Sequence, residues 1–158
     1  MKRNAANTFA MALAAALILG ITPQARADDE GCANASLTGT FGYVSAGSIV
    51  APPPLAGPFA TVGTQTFDGK GGTAATAAVS QNGNILNVTI RGTYTVNPDC
   101  TGSMTVAISS QNPPVSLTGH IFFVIVDSGA GFRGIQTDPG VVVSGTGRKL
   151  FPSGDWRQ

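Results

Sequence analysis

Residues 72–101 read GTAATAAVSQNGNILNVTIRGTYTVNPDCT, and they carry the clearest structural pattern of the chain. Its second half, residues 85–96, alternates strictly between apolar and polar side chains. The apolar positions are Leu86, Val88, Ile90, Tyr94 and Val96, and the polar ones are Asn87, Thr89, Arg91, Thr93 and Thr95. A period of two is typical of a strand with one buried and one solvated face. Asn82-Gly83 tolerates the positive φ angles of a tight turn, so the stretch predicts a β-hairpin.

The rest of the chain repeats this unit of strand and turn. Strands are predicted at residues 37–46 (with Ile49 and Val50 as an extension), 59–67, 72–80, 85–96, 102–109, 115–127, 132–137 and 141–149. Turn residues separate them, and residues 51–58 are proline-rich and are predicted to form a loop. Short connections favour an up-and-down meander, and eight strands can close and remove their exposed edges. The prediction is an all-β fold, an antiparallel up-and-down barrel of about eight strands, with a two-sheet β-sandwich as the alternative.

Residues 1–27 have the pattern of a secretory signal peptide. Lys2 and Arg3 precede an apolar run over residues 9–21, and Ala25-Arg26-Ala27 is a small-x-small cleavage site. The run is shorter than the roughly 20 residues that a spanning helix needs. We therefore expect cleavage after Ala27, a secreted or periplasmic location, and a single β-barrel domain over residues 28–158.

The polarity pattern also bears on partners. The polar face of residues 85–96 and the absence of an outer apolar belt argue against an outer-membrane barrel, so no stable membrane insertion is expected. Three of the nine basic residues belong to the predicted signal peptide, and the others form no basic stripe. Nucleic-acid binding is therefore not expected.

The chain contains two cysteines, Cys32 and Cys100. In an oxidising compartment such a pair is more often bridged than free, so we predict a disulfide that joins the N-terminal segment to the turn at residues 97–101. A single histidine and two separated cysteines do not have the spacing of a metal site. No metal and no cofactor are expected.

Three segments carry a resemblance to known proteins: LTGTFGY at residues 37–43, FDGKG at residues 67–71 and GTYTVNPDCTG at residues 92–102. Through them the chain resembles a group of small exported bacterial β-barrel proteins of unknown function, over most of residues 37–149. In architecture it is similar to calycin-like (lipocalin-like) barrels and to allene-oxide-cyclase-like or dirigent-like barrels. The resemblance implies a barrel that holds a hydrophobic small molecule, but it supplies no matching catalytic residue.

His120 is the one weak candidate for catalysis, as a general base paired with Asp127 or Asp99. Asp127 lies an odd number of residues away and therefore points to the opposite face of a regular strand. Asp68, Asp99 and Asp138 each stand beside glycine or proline, where carboxylates stabilise turns. No nucleophile elbow, phosphate loop or carboxylate pair is present in the sequence.

Most aromatic residues are predicted to point inward, with small residues between them. Such a mixture of large and small side chains either packs into a solid core or leaves a cavity. If the interior is hollow, the predicted ligand-binding residues are Tyr43, Tyr94, His120 and Phe122. The leading hypothesis is an exported β-barrel that binds a small hydrophobic molecule or a partner. The alternatives are a cofactor-free cyclase or isomerase acting in the cavity and a structural surface or matrix protein. The enzyme question stays open with a non-enzyme favoured, and the sequence gives no oligomeric state.

Overall fold

The computed structural model describes residues 31–51, 53 and 55–150. The strands are β1 (Thr38–Ile49), β2 (Gly57–Asp68), β3 (Gly72–Gln81), β4 (Asn84–Val96), β5 (Thr101–Gln111), β6 (Pro114–Val126), β7 (Gly131–Gln136) and β8 (Val141–Lys149). Each strand pairs antiparallel with the next along the chain, and β8 pairs with β1 to close the barrel. Two single-turn 3₁₀ helices, Asn34–Ser36 and Asp127–Gly129, are the helices among these residues. The predicted all-β barrel is confirmed.

The hairpin of β3 and β4 forms as predicted. Asn82 and Gly83 adopt φ angles of 50° and 84°, and Gln81 pairs with Asn84 across the turn. Along β4 the predicted inner face is buried or partly buried, and the polar face is exposed. The register of β3 and β4 therefore follows from the alternation together with the turn.

The proline-rich connection is shorter than predicted, because β2 begins at Gly57. Pro58 belongs to the strand, where it pairs with Ser48 at the extended end of β1. A proline is tolerated at the first residues of a strand, where its missing N–H breaks no essential ladder bond. Its carbonyl accepts the N–H of Asn82 at 2.8 Å and so ties β2 to the β3–β4 turn.

One end of the barrel, where β1 begins and β8 ends, is filled by four aromatic rings. Phe67 lies at the centre of this group, with ring centroids 5.4 Å from Phe41, 5.1 Å from Tyr94 and 5.6 Å from Phe132. Three of these four side chains are 3% exposed or less. Edge-to-face contacts of this kind stabilise a core beyond the burial of their area. This half of the interior is therefore filled, not hollow.

Glycines on neighbouring strands make room for the rings. Gly147 lies opposite Phe132, and Gly102 lies opposite Phe123, in the register of the ladders. A Cβ at either glycine would overlap the facing ring. The interleaving of large and small residues in the sequence therefore serves close packing between strands.

The N-terminal segment, residues 32–37, closes the aromatic end and is called the N-terminal cap below. Leu37 is 0% exposed and packs in the same core. The side-chain oxygen of Asn34 accepts the backbone N–H of Val96 at 2.8 Å, and the Tyr94 hydroxyl donates to the Leu37 carbonyl at 2.9 Å. These bonds join the cap to the end of β4.

The predicted disulfide between Cys32 and Cys100 is present, with a Cα–Cα distance of 4.8 Å. It fastens the cap to the turn between β4 and β5, and it fits an extracellular or periplasmic location. The predicted signal peptide, residues 1–27, lies outside the described residues. Within the described part of the chain, no helix is long and apolar enough to cross a membrane.

Candidate functional site: an apolar groove on the outer wall

The structure does not bring the four predicted ligand-binding residues together. Tyr43 and Tyr94 point into the barrel, whereas His120 and Phe122 lie on the outer face of β6. Phe122 is 47% exposed because its neighbour Phe123 takes the inward position. The expectation of an inward Phe122 is wrong: a run that is apolar on both faces does not reveal which of its residues points inward.

Tyr94 has a structural role at the filled end of the barrel. Its hydroxyl donates to the carbonyls of Asn34 and Leu37, at 3.0 and 2.9 Å. Burial raises the pKa of Tyr94 above its ordinary value. These two hydrogen bonds fasten the Tyr94 side chain to the N-terminal cap.

Tyr43 is the second inward tyrosine, and burial raises its pKa as well. The neighbouring Thr61 hydroxyl lowers that pKa to a smaller extent, but Thr61 donates its own hydrogen to the Ala78 carbonyl at 2.9 Å. Among the described residues, no hydrogen-bond partner of good geometry reaches the buried Tyr43 oxygen. The Tyr43 hydroxyl is therefore a buried polar group whose hydrogen-bonding capacity is unsatisfied.

His120 forms a hydrogen-bonded pair with Asp138, not with the predicted Asp127 or Asp99. Its Nδ1 lies 2.7 Å from Asp138 Oδ1, and its backbone N–H donates to Oδ2 at 2.8 Å. Asp138 becomes the partner because β7 ends early and the following turn passes beside β6; the Thr137 N–H then donates to the His120 carbonyl at 2.8 Å.

The surroundings of this pair favour a structural role over a catalytic one. Burial raises the pKa of Asp138, but hydrogen bonds from the His120 backbone and ring and from the Gln136 amide outweigh it, so the pKa lies below its ordinary value. The His120 side chain is 55% exposed and faces solvent. The pair therefore holds the β7–β8 turn against β6.

A concave groove with a volume of about 790 Å³ lies on the outside of the barrel. It runs across five strands, from β6 through β7, β8 and β1 to β2, between two rows of outward side chains. One row consists of Phe122, Ile135, Ser144, Ala46 and Ala60, and the other of Val124, Arg133, Thr146 and Val44. Val44 and Ile135 are each 53% exposed, which places the groove outside the barrel. It is called the outer groove below.

The floor of the outer groove is backbone, centred on Gly134 and Gly145. Both positions point inward, where a Cβ on Gly134 would lie 2.9 Å from the Phe122 carbonyl oxygen and 3.1 Å from the Cβ of Phe123. A larger residue would push β7 away from β6. The two glycines therefore allow the backbone of β7 and β8 to lie close to the core. The outer surface of the barrel is correspondingly depressed at these positions.

The opposite outer face of the barrel differs in chemistry. There a single row crosses β2 to β6 and carries hydroxyl groups on every strand: Thr64, Thr76, Thr89, Ser109 and Ser116. The outer groove thus carries exposed apolar side chains where this row carries hydroxyls, and Ile85 on β4 and Leu117 on β6 are exposed apolar side chains outside the groove. A contiguous exposed apolar patch in a folded protein usually marks a site of interaction.

Sequence reasoning missed the outer groove. The signal in the sequence was apolar residues at adjacent positions of one strand, as in Val141-Val142-Val143. Because successive side chains point to opposite faces, at least one of these residues must face outward. In the part of the chain that the structure describes, no group of His, Cys, Asp or Glu side chains could hold a metal ion.

Comparison with known proteins adds no relative: no family, no curated protein and no solved structure matches the chain. The resemblance to small exported bacterial barrels stays a prediction. The functional argument therefore depends on the geometry of the outer groove.

Proposed function

We propose that this protein is an exported, non-enzymatic binding barrel that holds a small hydrophobic molecule in the outer groove. The observation that carries the proposal is the groove itself, with its volume of about 790 Å³. Ligand sites for small molecules have volumes of about 300–1,000 Å³ and combine apolar walls with a few polar groups. Here Phe122, Ile135 and Val124 supply apolar walls, and Ser144 and Thr146 supply hydroxyls.

The interior is a weaker candidate for the same ligand. Phe41, Phe67, Tyr94 and Phe132 occupy one end of it, and the N-terminal cap covers that end. Ligand binding there would require these packed rings to move apart. The outer groove requires no such rearrangement, because apolar side chains of its two rows, Phe122, Ile135 and Val124 among them, are already exposed.

The placement of His120 weighs against the alternative of a cyclase or isomerase acting inside the barrel. His120 is the only histidine of the chain, and it lies on the outer face. A general base must lie within hydrogen-bond reach of the proton that it removes. A reaction inside the barrel would therefore have to use a weaker group, such as the Tyr43 hydroxyl.

The test is a binding measurement on the full chain after export. Native mass spectrometry of protein purified from its own host would detect a bound molecule, and a fluorescent apolar probe would give an affinity. Ile135→Glu puts a charge on the groove wall and is expected to weaken binding of the probe by about tenfold or more. Thr93→Glu, on the exposed hydroxyl side of β4, is the matched control.

Two results would contradict the proposal. One is protein that carries no bound molecule and does not bind the apolar probe. The other is equal weakening by Ile135→Glu and Thr93→Glu, which would mean that the probe binds elsewhere or responds to net charge. Thermal unfolding of both variants is measured alongside, so that a loss of fold is not mistaken for a loss of binding.

A further inference from the structure

We infer that the ligand of the outer groove is a monomeric anionic amphiphile, an apolar body with a carboxylate group, and that Arg133 binds the carboxylate. The inference rests on the proposed function and adds the chemical class of the ligand. It starts from charge: Arg133 is the one charged residue that lines the groove, and no acidic side chain lines it.

The carboxylates near this side of the barrel are engaged elsewhere. Asp138 is held by His120 and Gln136. Asp127 lies 3.8 Å from the second arginine of this side, Arg148. Among the described residues, Arg133 therefore forms no salt bridge, and its guanidinium is available to an incoming anion.

The position of Arg133 also orients the ligand. In the ladder Arg133 stands between Val124 on β6 and Thr146 on β8, so the guanidinium and a hydroxyl are neighbours on one row. The facing row carries Phe122 and Ile135. A planar guanidinium can donate two parallel hydrogen bonds to a carboxylate, which a compact ammonium cannot match. The headgroup would then bind at the arginine row while the apolar body lies along the facing row.

The experiment compares a fluorescent long-chain polyene fatty acid with its methyl ester, which has the same apolar body without the charge. For the natural sequence we expect the acid to bind about fivefold more tightly than the ester, the size of a solvent-exposed ion pair. Arg133→Gln should remove the preference for the acid over the ester, and Arg133→Lys should restore part of that preference. Arg91→Gln, at an exposed site on β4, is the matched control and should keep the preference.

Each outcome has a distinct meaning. Equal binding of acid and ester by the natural sequence overturns the inference and leaves the proposed function standing. A preference that survives Arg133→Gln overturns the assignment to Arg133. Failure of both ligands to bind contradicts the proposed function itself. Association with vesicles of anionic lipid, without binding of the monomeric acid, also overturns the inference, because the occupant would then be a membrane surface.

Discussion

Removal of the disulfide by the double substitution Cys32→Ala and Cys100→Ala is expected to lower the stability of the barrel substantially. The two cysteines are 68 residues apart in sequence. In the chain-entropy model, a disulfide that closes a loop of that length lowers the entropy of the unfolded chain. Its removal should therefore lower the free energy of unfolding by about 4.4 kcal/mol, within the roughly 2–5 kcal/mol usual for native disulfides. The cap also holds Leu37 in the core, so loosening of the cap is expected to weaken the packing of Leu37 as well.

Thermal unfolding followed by circular dichroism measures this effect. At roughly 4 °C per kcal/mol for a domain of this size, the unfolding midpoint should fall by about 18 °C. A reducing agent should lower the midpoint of the natural sequence by a similar amount and leave that of the cysteine-free variant unchanged. A midpoint within about 2 °C of the natural sequence would refute the reasoning, because it would mean that the bridge constrains little of the unfolded chain.

Leu37→Ala distinguishes the entropy of the bridge from the packing of the cap. Truncation of a buried leucine costs about 2.7–5 kcal/mol. If the bridge holds Leu37 in place, the cost of Leu37→Ala should be smaller in the cysteine-free chain, where the cap is already loosened. Costs that simply add would show that the disulfide and the packing act independently.

Three further predictions concern single residues. Gly147→Ala should lower the free energy of unfolding by about 1–3 kcal/mol, because the new methyl group overlaps the Phe132 ring; a stability equal to that of the natural sequence in urea unfolding would contradict this. Asp138→Asn should lower the unfolding midpoint at neutral pH, where Asp127→Asn is the control. Because the folded-state pKa of Asp138 lies below its ordinary 3.8, its stabilisation is present above that pH and is lost as the pH falls through the folded value; the variant and the natural sequence should converge there, and a gap that persists in acid would contradict it. Tyr43→Phe should leave stability unchanged or raise it slightly in urea unfolding, since the lost hydroxyl has no partner, and a loss above about 1 kcal/mol would reveal a hydrogen bond that the structure lacks.

The fold could be predicted because its determinants are local. The alternation over residues 85–96 and the Asn82-Gly83 turn set one register, and similar turns set the others. The predicted β8, residues 141–149, has the observed bounds. The disulfide could be predicted because the chain contains two cysteines and is expected to be exported to an oxidising compartment. This prediction needed no knowledge of where the two cysteines lie in the fold. Short connections then left few topologies other than a meander.

The candidate site could not be predicted, because it depends on relations between distant strands. Phe122, Ile135 and Val44 come from three strands and meet through pairings that include the closure of β8 on β1. The His120–Asp138 contact likewise depends on where β7 ends. A sequence pattern gives the two faces of a strand, but it does not state which face of an apolar run forms the core. Phe122 was predicted on the wrong side for that reason.

The closure of β8 on β1 has a consequence for the order of the chain. Thr38, at the start of β1, and Lys149, at the end of β8, lie at the same rim of the barrel and on adjacent strands. A ring of hydrogen-bonded strands has no first and no last member. A short peptide joining these two ends, with new termini opened at the exposed Asn82-Gly83 turn, would keep every ladder of the sheet. The closed sheet therefore does not require the chain to begin at β1, provided that the N-terminal cap is kept with its hydrogen bonds to the end of β4.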